Sequence, residues 1–490
     1  MREYTDRALD TAKASGATYA DVRILRSMTQ GITVKNGVVQ GLTQDESFGF
    51  GVRVIADGAW GFASSSELTK DEIDRVAALA VRIARASARA NAEPVDLGPS
   101  EVHVDTYTTP YEIDPFAVSL EEKIDLLLEA DKEARAVEGV MISTPRMNFL
   151  KREKTFASTE GSFVEQTIVE SAVGTRVNAV AEGEVQVRSY PNMFGTQQET
   201  GGYEVVRKWD IIGNSRRIGE EAVALLSAPQ CPRKRTTLIL GASQLALQVH
   251  ESCGHPIELD RVFGTEAAYA GTSFLTPEKY GTFAYGSEIV NIVSDAVTPG
   301  GLGTYGYDDE GVPAQTTDIV KEGRFVGYLT SRETTTQLRK IHPNAPERSN
   351  GAMRASSWNR IPIIRMNNVS LRPGEWTFED LIADTDEGIY MTMNKSWSID
   401  DRRLNFQFGT ELAYAVKNGK LGQMYKNATY TGITPQFWAG CDAICNADHW
   451  TVWGTPNCGK GQPGQTARVG HGTAPARFRN VEVGMMADAP

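Results

Sequence analysis

The chain has 490 residues, of which 41% are hydrophobic and 23% charged; this is close to the average of soluble globular proteins and excludes a disordered chain. Lys and Arg number 50 against 62 Asp and Glu, so the formal net charge is −12 and direct nucleic-acid binding is not expected. Five cysteines are too few for a disulfide framework, and no segment reaches about 18 uninterrupted apolar residues. We therefore expect roughly two or three domains, no membrane span, no secretory signal and a cytoplasmic location.

The N-terminal part of the sequence alternates between helical and strand patterns. Apolar residues at helical spacing predict a helix over residues 5–15. Strand-like runs flank Asn36 and Gly37, and another run precedes Asp57 and Gly58. Both dipeptides favour the positive φ angles of tight hairpin turns, so we predict an antiparallel sheet in this region.

Helix start signals occur at Thr69 and Ser119, each followed three residues later by a glutamate. In a capping box, the hydroxyl accepts a hydrogen bond from the backbone N–H of the glutamate, and the glutamate carboxylate accepts one from the N–H of the hydroxyl residue. Helices are therefore predicted to begin at both positions. The remaining pattern predicts a connector over residues 92–118, a group of strands over 139–190 and a further helix over 205–227.

Pro229 and Pro232 mark the best candidate for a domain boundary. After them, residues 236–240 read as a buried strand that leads into a helix, and the rest is rich in glycine and short strands. We predict an α+β protein. Its first domain, over residues 1–228, is mixed α/β with an antiparallel sheet, and its second, over residues 229–490, is β-rich with one prominent helix.

The segment 250–255 reads His-Glu-Ser-Cys-Gly-His and carries the strongest chemical signal. Two histidines and a glutamate at close spacing are typical of a metal site with an adjacent base. The histidines are five residues apart, which is about 140° around a regular helix, so such a helix would point them apart. We expect Gly254 to leave the helical φ and ψ and Pro256 to push His255 out of the α region. The helix should then loosen or end at 253–255, and the irregular turn would bring His255 back beside His250. The helix of the second domain is then a metal-binding helix.

Two imidazoles are not enough for a catalytic zinc site, which has three protein ligands and one open position. The third ligand could be another histidine, a cysteine or a carboxylate; the candidates besides histidine are Cys253, Cys441, Cys445, Cys458, Glu258 and Asp260. The two carboxylates could instead orient a ligand imidazole from outside, or form a solvated patch. The alternative for the whole segment is a capped helix end with two surface histidines.

Segments spread over most of the chain match the motifs of one known family. The most specific are the His-Glu-x-x-x-His segment and the run Asn-Cys-Gly-Lys at 457–460. Less specific matches lie at residues 19–23, 49–54, 61–63, 308–313 and 388–390. On these residues the chain resembles the TldD/PmbA family, formerly called modulators of DNA gyrase. It departs from the family at 394–400, where the family often has a glycine-rich stretch, and this departure bears on the choice of substrate.

This resemblance implies a zinc-dependent metallopeptidase of the TldD type, with one zinc ion per catalytic chain. In that family the two motif histidines and the late cysteine hold zinc, and the motif glutamate is the general base. Carried over, His250, His255 and Cys458 are the metal ligands, and Glu251 is the base that acts on a zinc-bound water. PmbA-like members lack the metal motif, which this chain keeps. The resemblance also implies a homodimer, or a heterodimer with a metal-free family paralogue, that shields the site.

Three functions fit these observations. Strand edges can bind an extended peptide through main-chain hydrogen bonds, so a peptidase acting on unfolded peptides or small proteins is the main expectation. A non-catalytic peptide-binding or regulatory partner protein is the first alternative. A metal-dependent hydrolase of another amide or ester is the second.

Three other features are predicted to be structural. The aromatic segment 437–453 is expected in the core or an interface. The spacing of Cys441 and Cys445 is not usual for zinc or redox motifs, which favours a buried role. The acidic residues 308–310 lack the alternating spacing of a calcium loop, so we predict a turn there.

Overall fold

The computed structural model describes residues 1–91 and 93–484, and its mixture of helices and sheets confirms the predicted α+β class. None of the described helices is both long and apolar enough to cross a membrane. The helices are α1 (Arg2–Ala14), α2 (Lys70–Ala88), α3 (Leu120–Arg135), α4 (Glu204–Lys208), α5 (Ile211–Ser227), α6 (Ala242–Val249), α7 (Leu259–Val262), α8 (Arg332–Ile341), α9 (Phe378–Ala383) and α10 (Thr434–Ala439).

The strands fall into two groups along the chain. The N-terminal group is β1 (Tyr19–Lys35), β2 (Val38–Ala56), β3 (Ala59–Ser65), β4 (Val104–Thr108), β5 (Val140–Ser143), β6 (Arg146–Ser158), β7 (Phe163–Ala181), β8 (Glu184–Tyr190) and β9 (Gln197–Thr200). The C-terminal group is β10 (Lys234–Leu240), β11 (Ile292–Asp295), β12 (Thr316–Lys321), β13 (Arg324–Phe325), β14 (Met353–Arg354), β15 (Ile363–Ile364), β16 (Asn368–Leu371), β17 (Glu387–Ile399), β18 (Asn405–Lys417), β19 (Lys420–Tyr425), β20 (Thr429–Ile433), β21 (Cys441–Ile444), β22 (Thr451–Lys460), β23 (Gln465–Thr473) and β24 (Ala476–Gly484).

Strands β1 to β9 form one sheet. Its main path runs β3-β2-β1-β6-β7-β4, while β5, β8 and β9 pair with β7. At the first hairpin, Asn36 and Gly37 have φ angles of 48° and 81°; at the second, Asp57 and Gly58 have 52° and 78°. Both hairpins and the antiparallel sheet are therefore confirmed.

The predicted connector over residues 92–118 contains a strand that the sequence pattern did not indicate. This strand, β4, pairs in parallel with β7 at the edge of the sheet. Its side chains are mostly exposed, so it lacks the alternation of a half-buried strand. Residue 92, the first of the predicted connector, lies outside the described residues.

The first helices begin near the predicted positions. The helix predicted over residues 5–15 is α1, and the hydroxyls of Thr69 and Ser119 cap α2 and α3 by accepting from the N–H three residues later, at 3.4 and 3.1 Å. The second half of the predicted capping box is wrong for α2, because the Glu72 carboxylate pairs with Arg75 at 2.6 Å instead. The hydroxyl cap alone is enough to start this helix.

The single helix predicted over residues 205–227 is divided into α4 and α5. Between them Asp210 adopts a φ of 31° and a ψ of 64°, in the left-handed region. Its carboxylate accepts from the N–H of Gly213 at 3.0 Å and caps α5. The prediction missed this break because the apolar spacing continues across it.

Five strands of the C-terminal half close into a barrel. Strand β10 pairs in parallel with β17, and β18, β20 and β24 follow in antiparallel order until β24 pairs with β10. This closure removes free edges from the five strands. Large aromatic side chains of this half belong to one buried core; they include Phe406, Phe408, Tyr430, Phe437 and Trp438. The predicted strand over 236–240 and the helix after it, now β10 and α6, are confirmed.

A second sheet of the C-terminal half, ordered β13-β12-β11-β16-β23-β22, lies on the other side of α6. Helix α6 contacts β17 of the barrel and β16, β22 and β23 of this sheet. Strands β22 and β23 form a hairpin that carries Cys458 and His471. The end of α6 and this hairpin together position the site described below.

Charged side chains buried between the two halves join them. Asp309 contacts Lys154 at 2.6 Å and Arg23 at 3.2 Å, and Glu310 contacts Arg53 at 3.3 Å. We call residues 308–310 the acidic turn; they form a turn, as predicted, and all three carboxylates are buried. The ion pairs therefore connect the N-terminal sheet to a loop of the C-terminal half.

Candidate metal centre

The two motif histidines lie at the ends of one widened helical turn. Residues 250–254 continue α6 as a π-helix, in which the His255 N–H donates to the His250 carbonyl at 3.1 Å. Because this hydrogen bond spans five residues, side chains five positions apart come to the same side. The two ring centroids are 4.9 Å apart. The histidines therefore meet, as expected, and of the two predicted routes the helix takes the first: it loosens into a wider turn and does not end.

The predicted effect of Pro256 on His255 is wrong. His255 keeps a φ of −67° and a ψ of −41°, in the α region. Pro256 has no N–H to donate to the Ser252 carbonyl, and the Tyr285 hydroxyl donates to that carbonyl at 3.0 Å. Tertiary contacts therefore compensate for the proline, and the turn is widened without leaving the α region.

We predicted that Gly254 would serve by its backbone freedom, but its role at the widened turn is to leave space for a neighbouring side chain. It lies within the π-helix, and a Cβ built on it would lie 2.1 Å from the Sδ of Met366. A side chain at this position is therefore excluded unless Met366 moves. Met366 comes just before β16, so the glycine allows the histidine turn to pack closely against the second sheet.

Cys458 on β22 completes a group of three possible ligands. Its Sγ lies 3.7 Å from the Nε2 of His255, and the ligand atoms of His250, His255 and Cys458 all lie within 4.8 Å of one another. Around a tetrahedral zinc ion, with Zn–N near 2.0 Å and Zn–S near 2.3 Å, nitrogen and sulfur ligands are about 3.5 Å apart. All three side chains are buried, so the alternative of two surface histidines does not apply.

His471 determines the tautomer of His250. Its Nδ1 lies 2.8 Å from the Val369 carbonyl, and its Nε2 lies 2.7 Å from the Nδ1 of His250. Because the carbonyl can only accept, the His471 Nδ1–H donates to it, and its Nε2 accepts from the His250 Nδ1–H. The His250 Nε2 is then unprotonated, as a metal ligand must be. Burial lowers the pKa of both histidines and keeps them neutral.

Glu258 has the same effect on His255. Its Oε2 accepts from the His255 Nδ1–H at 2.9 Å, which leaves Nε2 free on the side of Cys458. Glu258 is fully buried, and Lys460 Nζ lies 3.6 Å from the same oxygen. Asp260 contacts this lysine at 2.6 Å and not an imidazole. Of the two predicted carboxylates, only Glu258 therefore contacts a candidate ligand, and the solvated-patch alternative does not apply to it.

Cys458 differs from the other cysteines in its acidity. Burial by itself would raise the pKa of its thiol, but the pairing with His255 and the guanidinium of Arg365 outweigh it, so the pKa lies below the ordinary value. Arg365 Nη2 also donates to the Cys458 carbonyl at 2.5 Å. A lowered pKa favours the thiolate, which is the form that binds metals. Burial raises the pKa of the other thiols, those of Cys231, Cys253, Cys441 and Cys445.

The candidate base Glu251 is held by an arginine that the sequence did not indicate. Arg403 Nη1 lies 2.8 Å from Glu251 Oε2. Arg403 follows β17 with a φ of 63°, in a turn where the Asp400 carboxylate accepts from the N–H groups of Leu404 and Asn405 at 2.8 and 3.1 Å. This turn comes directly after the segment that departs from the family pattern.

The remaining ligand candidates belong to the apolar core. Cys253 and Cys441 lie in the large core of the C-terminal half, and Cys445 lies in a smaller cluster. The expected buried role of the cysteine pair is therefore confirmed. Phe437 and Trp438 belong to the same large core, which confirms the core interpretation for this part of the aromatic segment.

Models of the three domains of one family match the chain. The PmbA/TldA metallopeptidase domain 1 matches residues 20–84, the central domain matches residues 113–228, and the C-terminal domain matches residues 233–485. Together they cover most of the sequence. The C-terminal model includes the whole group of ligand candidates.

Individual relatives show the same likeness along the full chain. A metalloprotease of Methanocaldococcus jannaschii is 30% identical, over 93% of this chain and 94% of its own length. A zinc metalloprotease TldD homolog of Saccharolobus solfataricus is 24% identical, over 96% and 98%. A crystal structure from Thermotoga maritima, described as a modulator of a DNA gyrase, superposes with a TM-score of 0.76 at 20% identity and covers 98% and 99% of the two chains. This last similarity concerns the fold.

Proposed function

The chain belongs to the PmbA/TldD metallopeptidase family and is a metallopeptidase; we propose that its metal is zinc, one ion per chain, and that it hydrolyses peptide bonds in unfolded peptides or small proteins. The observation that carries this proposal is the group of three facing ligand atoms. Two imidazoles present unprotonated nitrogens and one thiol has a lowered pKa, all within 4.8 Å.

The chemistry of the three side chains fits zinc. His250, His255 and Cys458 would hold the ion. Two nitrogens and one sulfur suit this borderline-soft cation, whereas magnesium and calcium prefer oxygen ligands. Three protein ligands leave the fourth position of a tetrahedral ion for the reaction, as in other catalytic zinc sites. The one relative named above as a zinc metalloprotease agrees with this choice.

Bound zinc would act as a Lewis acid on the scissile carbonyl and make a water molecule nucleophilic near neutral pH. Glu251 takes the proton of the attacking water and passes it to the nitrogen of the leaving amine. Arg403 fixes one carboxylate oxygen of Glu251, so the other oxygen is free to meet the water. Glu258 and His471 keep the two imidazoles in the orientation and tautomer that hold the metal.

The burial of the site favours extended substrates. The three candidate ligands expose at most 5% of their surface, and Glu251 is equally buried. A peptide bond in a folded domain cannot approach such a site, whereas an extended segment can be inserted. Strand-like pairing of this segment with the protein would provide affinity without strict sequence preference.

We also propose that the active form is a dimer in the cytoplasm, either a homodimer or a heterodimer with a metal-free paralogue, as the family resemblance implies. A second chain would shield the site further and restrict access to unfolded chains. Light scattering on the purified protein, with and without a co-expressed paralogue, measures this assembly. A monomer under both conditions would contradict this part of the proposal.

The variant Glu251→Gln tests the proposed reaction. Cleavage of an unstructured fluorogenic peptide should fall by about 10²- to 10⁴-fold, while the zinc content stays at one ion per chain. Glu220→Gln, on an exposed position of α5, is the matched control and should cleave normally. Wild-type cleavage should stop with a chelator and return with zinc.

Two outcomes would contradict the proposal. Full activity of Glu251→Gln would exclude a role as base and favour a binding or regulatory function. Chelator-sensitive hydrolysis of small esters or other amides, with no cleavage of any peptide, would favour the alternative hydrolase.

A further inference from the structure

A cavity of about 190 Å³ lies between the N-terminal sheet and the loops of the C-terminal half. One wall consists of alternate residues of β1, β6 and β7, which share one face of the sheet. The other wall includes residues 302–309, the start of the loop after β14, and the hairpin β22–β23. The cavity is thus enclosed by the same hairpin that carries Cys458.

Positive charge predominates in the walls of this cavity. Its lining contains five cations and two carboxylates. Asp309 pairs with Lys154 and Arg23, and Glu170 pairs with Arg468 at 3.2 Å. The cations are Arg23, Arg152, Lys154, Arg354 and Arg468.

Two of the five cations have no carboxylate partner. Within residues 1–91 and 93–484, neither Arg152 nor Arg354 forms an ion pair, and the Nε of each is buried without a hydrogen-bond partner. Arg152 makes one long hydrogen bond, from Nη2 to the Ser356 carbonyl at 3.5 Å. Arg354 donates to the carbonyls of Met366 and Arg468. Burial lowers the pKa of both guanidinium groups.

Guanidinium groups that are half-buried without a carboxylate partner are costly, because the charge loses part of its hydration without gaining a counter-ion. In the acidic turn, which borders the same space, every carboxylate is met by a cation or by a backbone amide. The charge of the cavity is therefore incomplete within the chain, and an anion would balance it.

The cavity also lies close to the candidate metal ligands. Ala467 lines the cavity and stands directly opposite Cys458 in the pairing of β22 with β23. Neighbouring strands are about 5 Å apart, so a residue that lines the cavity lies one strand away from the backbone of Cys458.

We propose that this cavity binds a carboxylate of the peptide substrate beside the scissile bond, an inference that rests on the proposed peptidase function. Arg152 and Arg354 present guanidinium groups, which bind carboxylates through paired, charge-assisted hydrogen bonds. The carboxylate is either the side chain of Asp or Glu or the C-terminal carboxylate of the peptide. The first source selects acidic residues near the cleavage point, and the second releases short C-terminal fragments.

Three labelled peptides of one unstructured sequence distinguish these sources. The first has an internal Glu and an amidated C-terminus, the second has Gln and a free C-terminal carboxylate, and the third has Gln and an amidated C-terminus. Their binding to zinc-loaded Glu251→Gln protein is measured by fluorescence anisotropy. One of the first two should bind at least about tenfold more tightly than the third.

Arg152→Gln, made in the same background, should remove this advantage, and Arg152→Lys should retain part of it. Arg26→Gln is the matched control, because Arg26 lies on β1 outside this cavity and pairs with exposed Glu46. The melting temperature provides an independent readout. Because Arg152→Gln removes an unpaired buried charge, the ligand-free variant should melt at the same or a higher temperature than its parent.

Each contrary result overturns a definite part of the proposal. Equal binding of the three peptides, or an undiminished advantage in Arg152→Gln, excludes a carboxylate site in this cavity. Stabilisation by inorganic phosphate that does not compete with any peptide assigns the cavity to a free anion instead. Equal chelator-sensitive cleavage of all three peptides by the wild type rejects the cavity proposal alone, whereas absence of any such cleavage rejects the peptidase function.

Discussion

The metal centre and the acidic turn are both buried groups of titratable side chains that join distant parts of the chain, but they are satisfied differently. In the acidic turn, Asp309 accepts from Lys154, from Arg23 and from the N–H of Ala355. In the candidate metal centre, the outer ring nitrogens of His250 and His255 have close partners, whereas the inner nitrogen of His255 faces the Sγ of Cys458 at 3.7 Å. The acidic turn is complete within the chain, whereas the candidate metal centre has the ligand atoms that a metal ion would join. The proposed site therefore rests on lone pairs that face each other, and not on burial of charge alone.

The largest effect on folding is expected for Asp309→Asn. Without the shared carboxylate, buried Arg23 and half-buried Lys154 lose their counter-ion, so the free energy of unfolding should fall by about 3 kcal/mol. The zinc content of the folded chain should not change. Denaturant unfolding and elemental analysis measure the two quantities, and the exposed variant Asp45→Asn should shift stability by less than about 0.5 kcal/mol. Loss of zinc from folded Asp309→Asn would mean that the two regions are not separate.

The pH dependence of stability follows from the same carboxylate. Burial alone would raise the pKa of Asp309, but Lys154 and Arg23 outweigh it and hold the pKa below the ordinary value. Such a group stabilises the fold above its unfolded pKa, about 3.9, and loses this contribution as the pH falls toward the folded pKa. Between about pH 5 and pH 2, the wild type should therefore lose more stability than Asp309→Asn. Parallel curves for the two proteins would contradict this assignment.

The variant Arg403→Gln probes the catalytic side of the comparison. Glu251 would keep its charge but lose the contact that orients it, so kcat should fall by about 10²-fold with KM and zinc content unchanged. Arg403→Lys should recover part of the rate. The adjacent Arg402 is exposed in the same turn, so Arg402→Gln is the matched control and should be near wild type. Equal kcat values for Arg403→Gln and Arg402→Gln would contradict a positioning role of Arg403.

A smaller effect is expected for Glu258→Gln, which weakens the partner of the His255 ring. Metal affinity should decrease by about 10- to 100-fold, because partners of ligand histidines fix their orientation and tautomer. Activity should return at excess zinc. Competition with a chromogenic chelator measures the affinity, and exposed Glu288→Gln should match the wild type. An unchanged affinity would show that Glu258 serves the fold alone.

Local chemistry explains which features were predictable from the sequence. The Asn36-Gly37 turn needs positive φ angles, and two histidines with a glutamate at close spacing are a motif typical of metal sites. The loosening of the helix near Gly254 was predicted, but His255 keeps the α conformation before Pro256, and the Tyr285 hydroxyl bonds the carbonyl that the proline leaves without an amide donor. Tertiary contacts therefore outweigh the conformational preference that a proline imposes on the residue before it.

Features that depend on long-range pairing could not be predicted. His471 reaches His250 only because the hairpin β22–β23 packs against α6, and Arg403 reaches Glu251 across 152 residues. The cavity at Arg152 forms only when the two halves meet. A single sequence shows residue types and local spacing, and neither of these identifies which residues far apart in the chain come into contact.

The zinc content of Cys458→Ser, compared with that of the wild type, tests the metal centre most directly. We predict one zinc ion per wild-type chain and loss or marked weakening of binding in the variant, because the thiol is one of three facing ligands. Cys231→Ser, a buried cysteine outside this group, should keep its zinc. Equal zinc content and equal affinity in all three proteins would contradict the proposed site.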